Sequence, residues 1–376
     1  MPKQKVSKEK SIRRTKNFVQ LVICLAVIGT GAYYIKDIND RSGKVGQAPA
    51  ISDGDAEVTT VSVPTEAYDP NKVIYEPLTV KTTDKFRGNL ILVNEDHQYF
   101  GGGEDLVSIL EKNDEKGITY FTSVDYTYTI LANVYEPMVK MISDFYSIYS
   151  NDTLTIYGSY RTTEFQQQLY DEDLANTGDD KSTRVAKPGF SEHESGYAFD
   201  FSETVNNDYD GTGDFAWINE NCYKYGFVLR YTKEKESITK IQPEPWHFRF
   251  VGIPHSYYMT KNNLCLEEYI DLLRKYPYDG QHLEITDEDK KSYEVYFVAS
   301  DDGAEENNIP VPAGKEYDIS GNNVDGFIVT VYNDGRPELM KAQTAPAETT
   351  TASADETSSE NGEGETSGEA DENANQ

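Results

Sequence analysis

Ser191-Glu192-His193-Glu194-Ser195-Gly196-Tyr197-Ala198-Phe199-Asp200 and, later in the chain, Glu244-Pro245-Trp246-His247 are the two stretches from which the rest can be read. They supply two imidazoles and a carboxylate, His193, Asp200 and His247, in a chain with only five histidines. Two His and one Asp form a zinc ligand set that leaves one position open, as a catalytic site requires. Glu244 then remains as a general base for water beside the ion. In one straight strand His193 and Asp200 would lie on opposite faces, so a turn at Gly196 is expected to bring them together. Gly196 and Ala198 alternate with Tyr197 and Phe199, which lets the backbone pack closely. Pro245 disfavours helix at Glu244, and a flat strand would point Glu244 and His247 apart. A kink at Pro245 is therefore expected, with Glu244 beside the ion and not on it. Glu192 and Glu194, read as neighbours of His193 in extended chain, are expected to face solvent.

The pattern S-x-H-x-x-G-x-A-x-D followed by E-P-W-H resembles the zinc D-alanyl-D-alanine carboxypeptidases of the VanY type, which share a fold with the VanX dipeptidases and the hedgehog amino-terminal domain. Further matches follow in order: Gly158-Ser159-Tyr160-Arg161 with Gln166, Lys224-Tyr225-Gly226-Phe227-Val228-Leu229-Arg230-Tyr231, and His247-Phe248-Arg249-Phe250-Val251-Gly252. The resemblance spans roughly residues 76–278. It implies an α+β fold, an antiparallel sheet with packed helices, holding one zinc ion on His193, Asp200 and His247. It also implies Glu244 as catalytic base and removal of the terminal D-Ala from peptidoglycan stem peptides. By the same resemblance Arg161 grips the substrate's terminal carboxylate, which a planar guanidinium can do bidentately, while Gln166 and Ser191 bind substrate.

The residues alone leave other readings open. Arg161 can pair with a neighbouring acid, Gln166 can close a capping box with Thr163, and the Ser191 hydroxyl can cap a turn. An L,D-carboxypeptidase, a dipeptidase or a peptidoglycan endopeptidase would use the same ligands. A non-catalytic zinc domain that binds wall peptide is the rival of another class; Glu244 argues against it, because a structural metal site needs no base.

The net charge of −30 excludes nucleic acid as a partner, since phosphate binding needs basic patches. It equally disfavours docking on anionic lipid, and it suits solubility outside the cell. Of three cysteines, Cys24 falls in the apolar N-terminal segment; Cys222 and Cys265 are either a disulfide or two buried thiols, and neither sits in a nucleophile motif.

Residues 1–17 are a basic tail, and residues 18–37 hold an apolar run, Phe18 to Ile35, long enough to span a bilayer. The basic flank places the N-terminus in the cytoplasm. An uncleaved anchor is read in preference to a signal peptide because the run exceeds a usual signal core. The expected location is the cell membrane, single-pass, with the rest outside. Residues 38–75 read as a polar linker, 76–278 as the catalytic domain, 279–337 as a small β appendage that docks on it, and 338–376 as a disordered acidic tail. Within the catalytic segment, Met138, Met141, Ile142 and Phe145 mark an amphipathic helix over 131–149. Asp214 to Tyr225 reads as a helix capped by Asp214 and ended by Gly226, and Asn262 or Asn263 is expected to cap the last helix. The polar residues 171–188 are expected to loop over the site mouth. His97, His255 and His282 are read as surface or internally satisfied histidines. A monomer is the default.

Overall fold

The computed structural model describes residues 73–101, 105–204 and 208–343. The basic tail, the apolar run read as a membrane anchor, most of the linker and the acidic tail beyond 343 lie outside the described residues. Among the described residues no helix is long and apolar enough to cross a membrane.

In chain order the elements are β1 (Tyr75–Lys81), β2 (Leu106–Ser108), α1 (Ile109–Lys116), β3 (Thr122–Ser123), β4 (Thr129–Leu131), α2 (Ala132–Tyr149), β5 (Leu154–Gly158), α3 (Thr163–Thr177), β6 (Ala198–Glu203), α4 (Ala216–Asn221), β7 (Phe227–Tyr231), α5 (Glu236–Thr239), β8 (Glu244–Phe250), α6 (His255–Lys261) and α7 (Leu266–Leu273). Five further strands follow: β9 (Leu283–Thr286), β10 (Ser292–Ala299), β11 (Glu306–Pro312), β12 (Glu316–Gly321) and β13 (Gly326–Tyr332). The central sheet has the order β3-β5-β6-β8-β7, antiparallel apart from the β3–β5 pair.

Strand alternation sorts its residues into two faces. Phe199 and Phe201 of β6, Phe227 and Leu229 of β7, and Phe248 and Phe250 of β8 share a core with Met138, Met141, Ile142 and Phe145 of α2. Those four α2 residues are fully buried, at the helical spacing that the sequence shows. The intervening residues, Asp200, Arg230, His247 and Arg249, therefore occupy the opposite face. That face carries the chemistry.

The β layer at the C-terminal end is built into the same body. Its four-stranded sheet runs β12-β13-β10-β9, and β11 pairs antiparallel with β1 at the other end of the described chain. Leu283, Ile285, Tyr293, Val295, Phe297, Ile328 and Tyr332 form one core with Leu90, Leu92, Val228, Val251, Met259 and the buried face of α7. His255 is a satisfied core histidine bridging the two parts, with Nδ1 at 2.8 Å from the Tyr269 hydroxyl and Nε2 at 2.9 Å from Thr330 Oγ1. Met340, in the 3-10 turn Glu338–Gln343, is buried in the α2-side core.

Two local expectations are corrected, and the open alternative for the cysteines is decided. The segment around α4 is a 3-10 turn, a short α-helix and a second 3-10 turn, headed by Thr212 and not Asp214, although Gly226 ends it as expected. The cap of α7 is Cys265, whose N–H donates to Glu268 Oε2 at 3.0 Å; the asparagines lie in the turn after α6. Cys222 and Cys265 are both buried free thiols. Cys222 packs in the α2-side core while Cys265 sits at the α7 terminus, so no disulfide joins them.

Candidate metal centre and active-site cleft

Two cross-strand pairings create the centre. Asp200 of β6 stands directly opposite His247 of β8 and, on its other side, opposite Gly158 of β5. A Cβ on residue 158 would come within 2.2 Å of Asp200 Oδ2, so only glycine leaves room for that carboxylate. His193 arrives from a 3-10 turn, Glu192–Ser195, that Gly196 closes in the left-handed region at φ 73°. The turn at Gly196 is where the sequence places it.

The donor atoms of His193, Asp200 and His247 all lie within 4.8 Å of one another, and the three side chains are buried. His193 Nδ1 donates to the Ser159 carbonyl at 2.9 Å, which leaves Nε2 as the free donor atom. Burial, foremost, and the charge of Arg161 hold His193 down to about 4, so the imidazole is neutral. Its Nε2 lone pair faces Asp200 Oδ2 at 3.2 Å. Burial opposes ionisation of Asp200, but its histidine neighbours hold it well below the usual carboxylate range. Two acceptors aimed at each other need a cation between them. His247 completes the set: Nδ1 lies 2.9 Å from Asp200 Oδ1, and Nε2 donates to Glu192 Oε2 at 3.2 Å. Burial lowers the pKa of His247, yet its bonds to the two carboxylates outweigh this and raise it to about 9. Two imidazole nitrogens and one carboxylate, each fixed by an outer partner, fit a zinc ion.

Glu244 lies beside this set, with Oε2 at 3.8 Å from His247 Nδ1. The expected kink at Pro245 takes the form of a bulge. Leu229 pairs with Phe248 but Tyr231 pairs with Glu244, so β8 has two extra residues opposite one of β7. That insertion lets Glu244 and His247 reach the same place. Burial, partly offset by the charge of His247, pushes Glu244 up to about 7, a value matched to proton transfer near neutrality.

The centre opens on a cleft of about 520 Å³ lined by Tyr157, Arg161, Gln166, Leu169, Ile241 and Trp246 among others. Arg161 NH2 is 3.2 Å from Asp200 Oδ2 and its NH1 donates to Gln166 Oε1 at 3.3 Å. Arg161 thus pairs with a neighbouring acid, and that acid is itself one of the three ligands. Gln166 is buried and passes its amide hydrogen to the Ala186 carbonyl at 2.7 Å. It closes no capping box with Thr163: α3 is capped by Thr162, whose hydroxyl accepts from the Phe165 N–H. Ser191 is buried on the cleft wall, and its N–H is taken by Glu194 Oε2 at 3.2 Å. Of residues 171–188, the first seven complete α3 and only the remainder loops along the cleft.

The reading of Glu192 and Glu194 as solvated is overturned: both are buried. Glu194 closes the Gly189–Ser191 turn by accepting from both N–H groups. Glu192 faces His247. A 3-10 turn places successive side chains a third of a turn apart, so residue 192 is not forced to the side opposite residue 193 as it would be in a strand.

A buried ligand triad flanked by a carboxylate of raised pKa and by an arginine in a peptide-sized cleft is the equipment of a metal-dependent exopeptidase. The D-alanyl-D-alanine carboxypeptidase (VanY) family model matches residues 131–253. A D-alanyl-D-alanine carboxypeptidase of Enterococcus faecium is 34% identical over 264 residues, 68% of this chain and 78% of that protein. The bifunctional D-Ala-D-Ala dipeptidase and carboxypeptidase VanXYC of Enterococcus gallinarum is 37% identical over 128 residues, 32% of this chain and 67% of that protein. Among solved structures, the vancomycin-resistance D,D-dipeptidase VanXYg, in complex with a D-Ala-D-Ala phosphinate analogue, superposes with a TM-score of 0.60 at 28% identity, covering 69% of this chain and 99% of that one. The chain belongs to the VanY family of D-alanyl-D-alanine carboxypeptidases.

Proposed function

We propose that this enzyme removes the terminal D-Ala from peptidoglycan stem peptides, using one zinc ion held by His193, Asp200 and His247, from a domain anchored outside the cell membrane by the N-terminal apolar run. The observation that carries the reading is the convergence of three ligand atoms within 4.8 Å with Glu244 alongside. The basic tail followed by the run Phe18 to Ile35 supports the location.

Bound zinc supplies Lewis acidity toward the scissile carbonyl and makes nearby water more acidic. The protein's own groups do the rest. Glu244 takes a proton from the attacking water and returns it to the leaving amine of D-Ala. Arg161 pairs with the terminal carboxylate of the peptide, so only the last residue lies across the centre; a substrate lacking that carboxylate leaves the guanidinium without its partner. Gln166 holds the guanidinium from behind, and its bond to Ala186 fixes it to the cleft wall. Tyr157, Leu169 and Trp246 present apolar surface to the alanine methyl groups.

The test is release of D-Ala from stem pentapeptide and tetrapeptide by the purified protein, with and without chelator. Release from pentapeptide alone, abolished by chelation and restored by zinc, is expected. Release from tetrapeptide would move the bond to the L,D class; release from neither, with zinc bound, would leave an endopeptidase or a wall-binding domain. Arg161→Lys keeps the charge but loses the fork, and charged hydrogen bonds of this kind contribute about 1.5–3 kcal/mol. A fall in kcat/KM of about 10- to 100-fold is expected. A C-terminally amidated peptide should lose a similar factor with wild type and almost nothing further with the variant. Equal losses for both enzymes would remove Arg161 from the carboxylate site.

A further inference from the structure

The sequence motifs contain two arginines with no part in the chemistry so far, Arg230 and Arg249. Both are buried, and both end on Glu192 Oε1: Arg230 Nε at 2.7 Å and Arg249 NH1 at 3.0 Å. The other oxygen of Glu192 faces His247 Nε2. The guanidiniums are themselves tied down. Arg230 makes a bidentate pair with Glu267 at 2.7 and 2.9 Å, and Asn94 Nδ2 adds a bond to the same carboxylate. Arg249 NH2 donates to the carbonyls of Asn89 and Ile91, and its Nε to that of Phe250. Removing four charges from water is costly, and a buried ionic cluster of this size is weak evidence for stability. Its geometry instead divides the Glu192 carboxylate between two cations on one side and one imidazole on the other.

We infer that Glu192 is a positioning residue for the metal centre: clamped by Arg230 and Arg249, it holds the N–H of His247 on Nε2 and so presents Nδ1 as the ligand atom. The inference rests on the zinc-site reading above. The carboxylate–histidine–metal arrangement fixes the ring's tautomer and orientation, and losing such an outer partner typically weakens metal binding by about 10- to 100-fold. A second consequence concerns the wider fold. Segment 89–94 and the start of α7 touch no ligand, yet they set where the two guanidiniums lie, and these set Glu192.

The test compares Glu192→Gln, Glu192→Asp and Glu267→Gln in the full chain. It measures the zinc dissociation constant by chelator competition, the visible spectrum of the cobalt-substituted protein, and the Tm of the metal-free protein. Glu192→Gln is expected to bind zinc about 10- to 100-fold more weakly with an altered cobalt spectrum, and Glu192→Asp to fall between it and wild type. Glu267→Gln loosens Arg230 at the far end of the network and is expected to lower the metal-free Tm and to shift zinc affinity and the cobalt spectrum in the same direction as Glu192→Gln, by less. Zinc affinity within twofold of wild type in Glu192→Gln, with a lowered Tm, would reduce Glu192 to a structural role. The histidine nitrogen NMR shifts of the zinc-loaded wild type give the answer even where variants fail to fold: His247 protonated on Nε2 is expected, and His247 protonated on Nδ1 overturns the inference. Wild type that binds no zinc would instead sink the metal-site reading itself.

Discussion

Glu244→Gln should abolish turnover while leaving bound zinc nearly unchanged. The amide is almost the same size and cannot take a proton, and general acid–base transfer typically contributes about 10²- to 10⁴-fold. Because Glu244 would both receive the proton and return it to the leaving amine, a loss at the upper end of that range is expected. Metal content should hold, because the ligand atoms of His193, Asp200 and His247 converge without Glu244. Turnover within tenfold of wild type would contradict the base assignment.

The same substitution has an independent signature in metal-free protein. Burial lifts Glu244 from the ordinary 4.5 to about 7 in the folded state, so ionising it costs more folded than unfolded. Wild type therefore loses stability relative to the glutamine variant as pH rises from 4.5 to 7. The gap should be absent at pH 4 and reach at most about 3 kcal/mol above pH 7. Denaturant unfolding at the two pH values measures it, and a pH-independent difference would show that Glu244 is not held neutral by burial.

Ending the chain after Tyr278 should leave no folded enzyme. The deletion strips Leu283, Ile285, Tyr293, Val295, Phe297, Ile328 and Tyr332 from a core whose other side is Leu90, Leu92, Val228, Val251, Met259 and α7. Each fully buried apolar side chain of this kind contributes about 1.5–3 kcal/mol, and a whole domain is stable by only about 5–15 kcal/mol. The deletion also unpairs β1 from β11, takes Thr330 from buried His255, and removes Met340 from beneath α2. Far-UV and near-UV circular dichroism of the shortened protein is the check. A soluble product with a native Tm would mean that the β layer is a detachable module.

How much of this was legible beforehand depends on how local each feature is. The ligand set could be read from two short motifs, and the turn at Gly196 and the helix over α2 from a glycine and a 3.6-residue period, because each of these signals is written within a few residues. The bulge that carries Glu244 was legible only as a needed kink, since Pro245 says where the chain deviates and not how its partner strand adjusts. The capping-box alternative for Gln166 fails for a similar reason: Thr162 and Thr163 are equivalent as candidate caps until the strand before them sets where α3 begins.

The residues between and beyond the motifs were not legible. Glu192 was assigned to solvent on the assumption of extended backbone, and a single 3-10 turn reverses that. Arg230 and Glu267 lie 38 and 75 residues from it, so no local pattern connects them. That the short C-terminal β segment docks on the catalytic domain was legible, but its strands do not say that their apolar residues share one core with Leu90, Leu92, Val228 and α7. Chain chemistry names the groups that can bind a metal and move a proton. Long-range packing decides which oxygen faces which nitrogen, because orientation depends on neighbours that the sequence places far away.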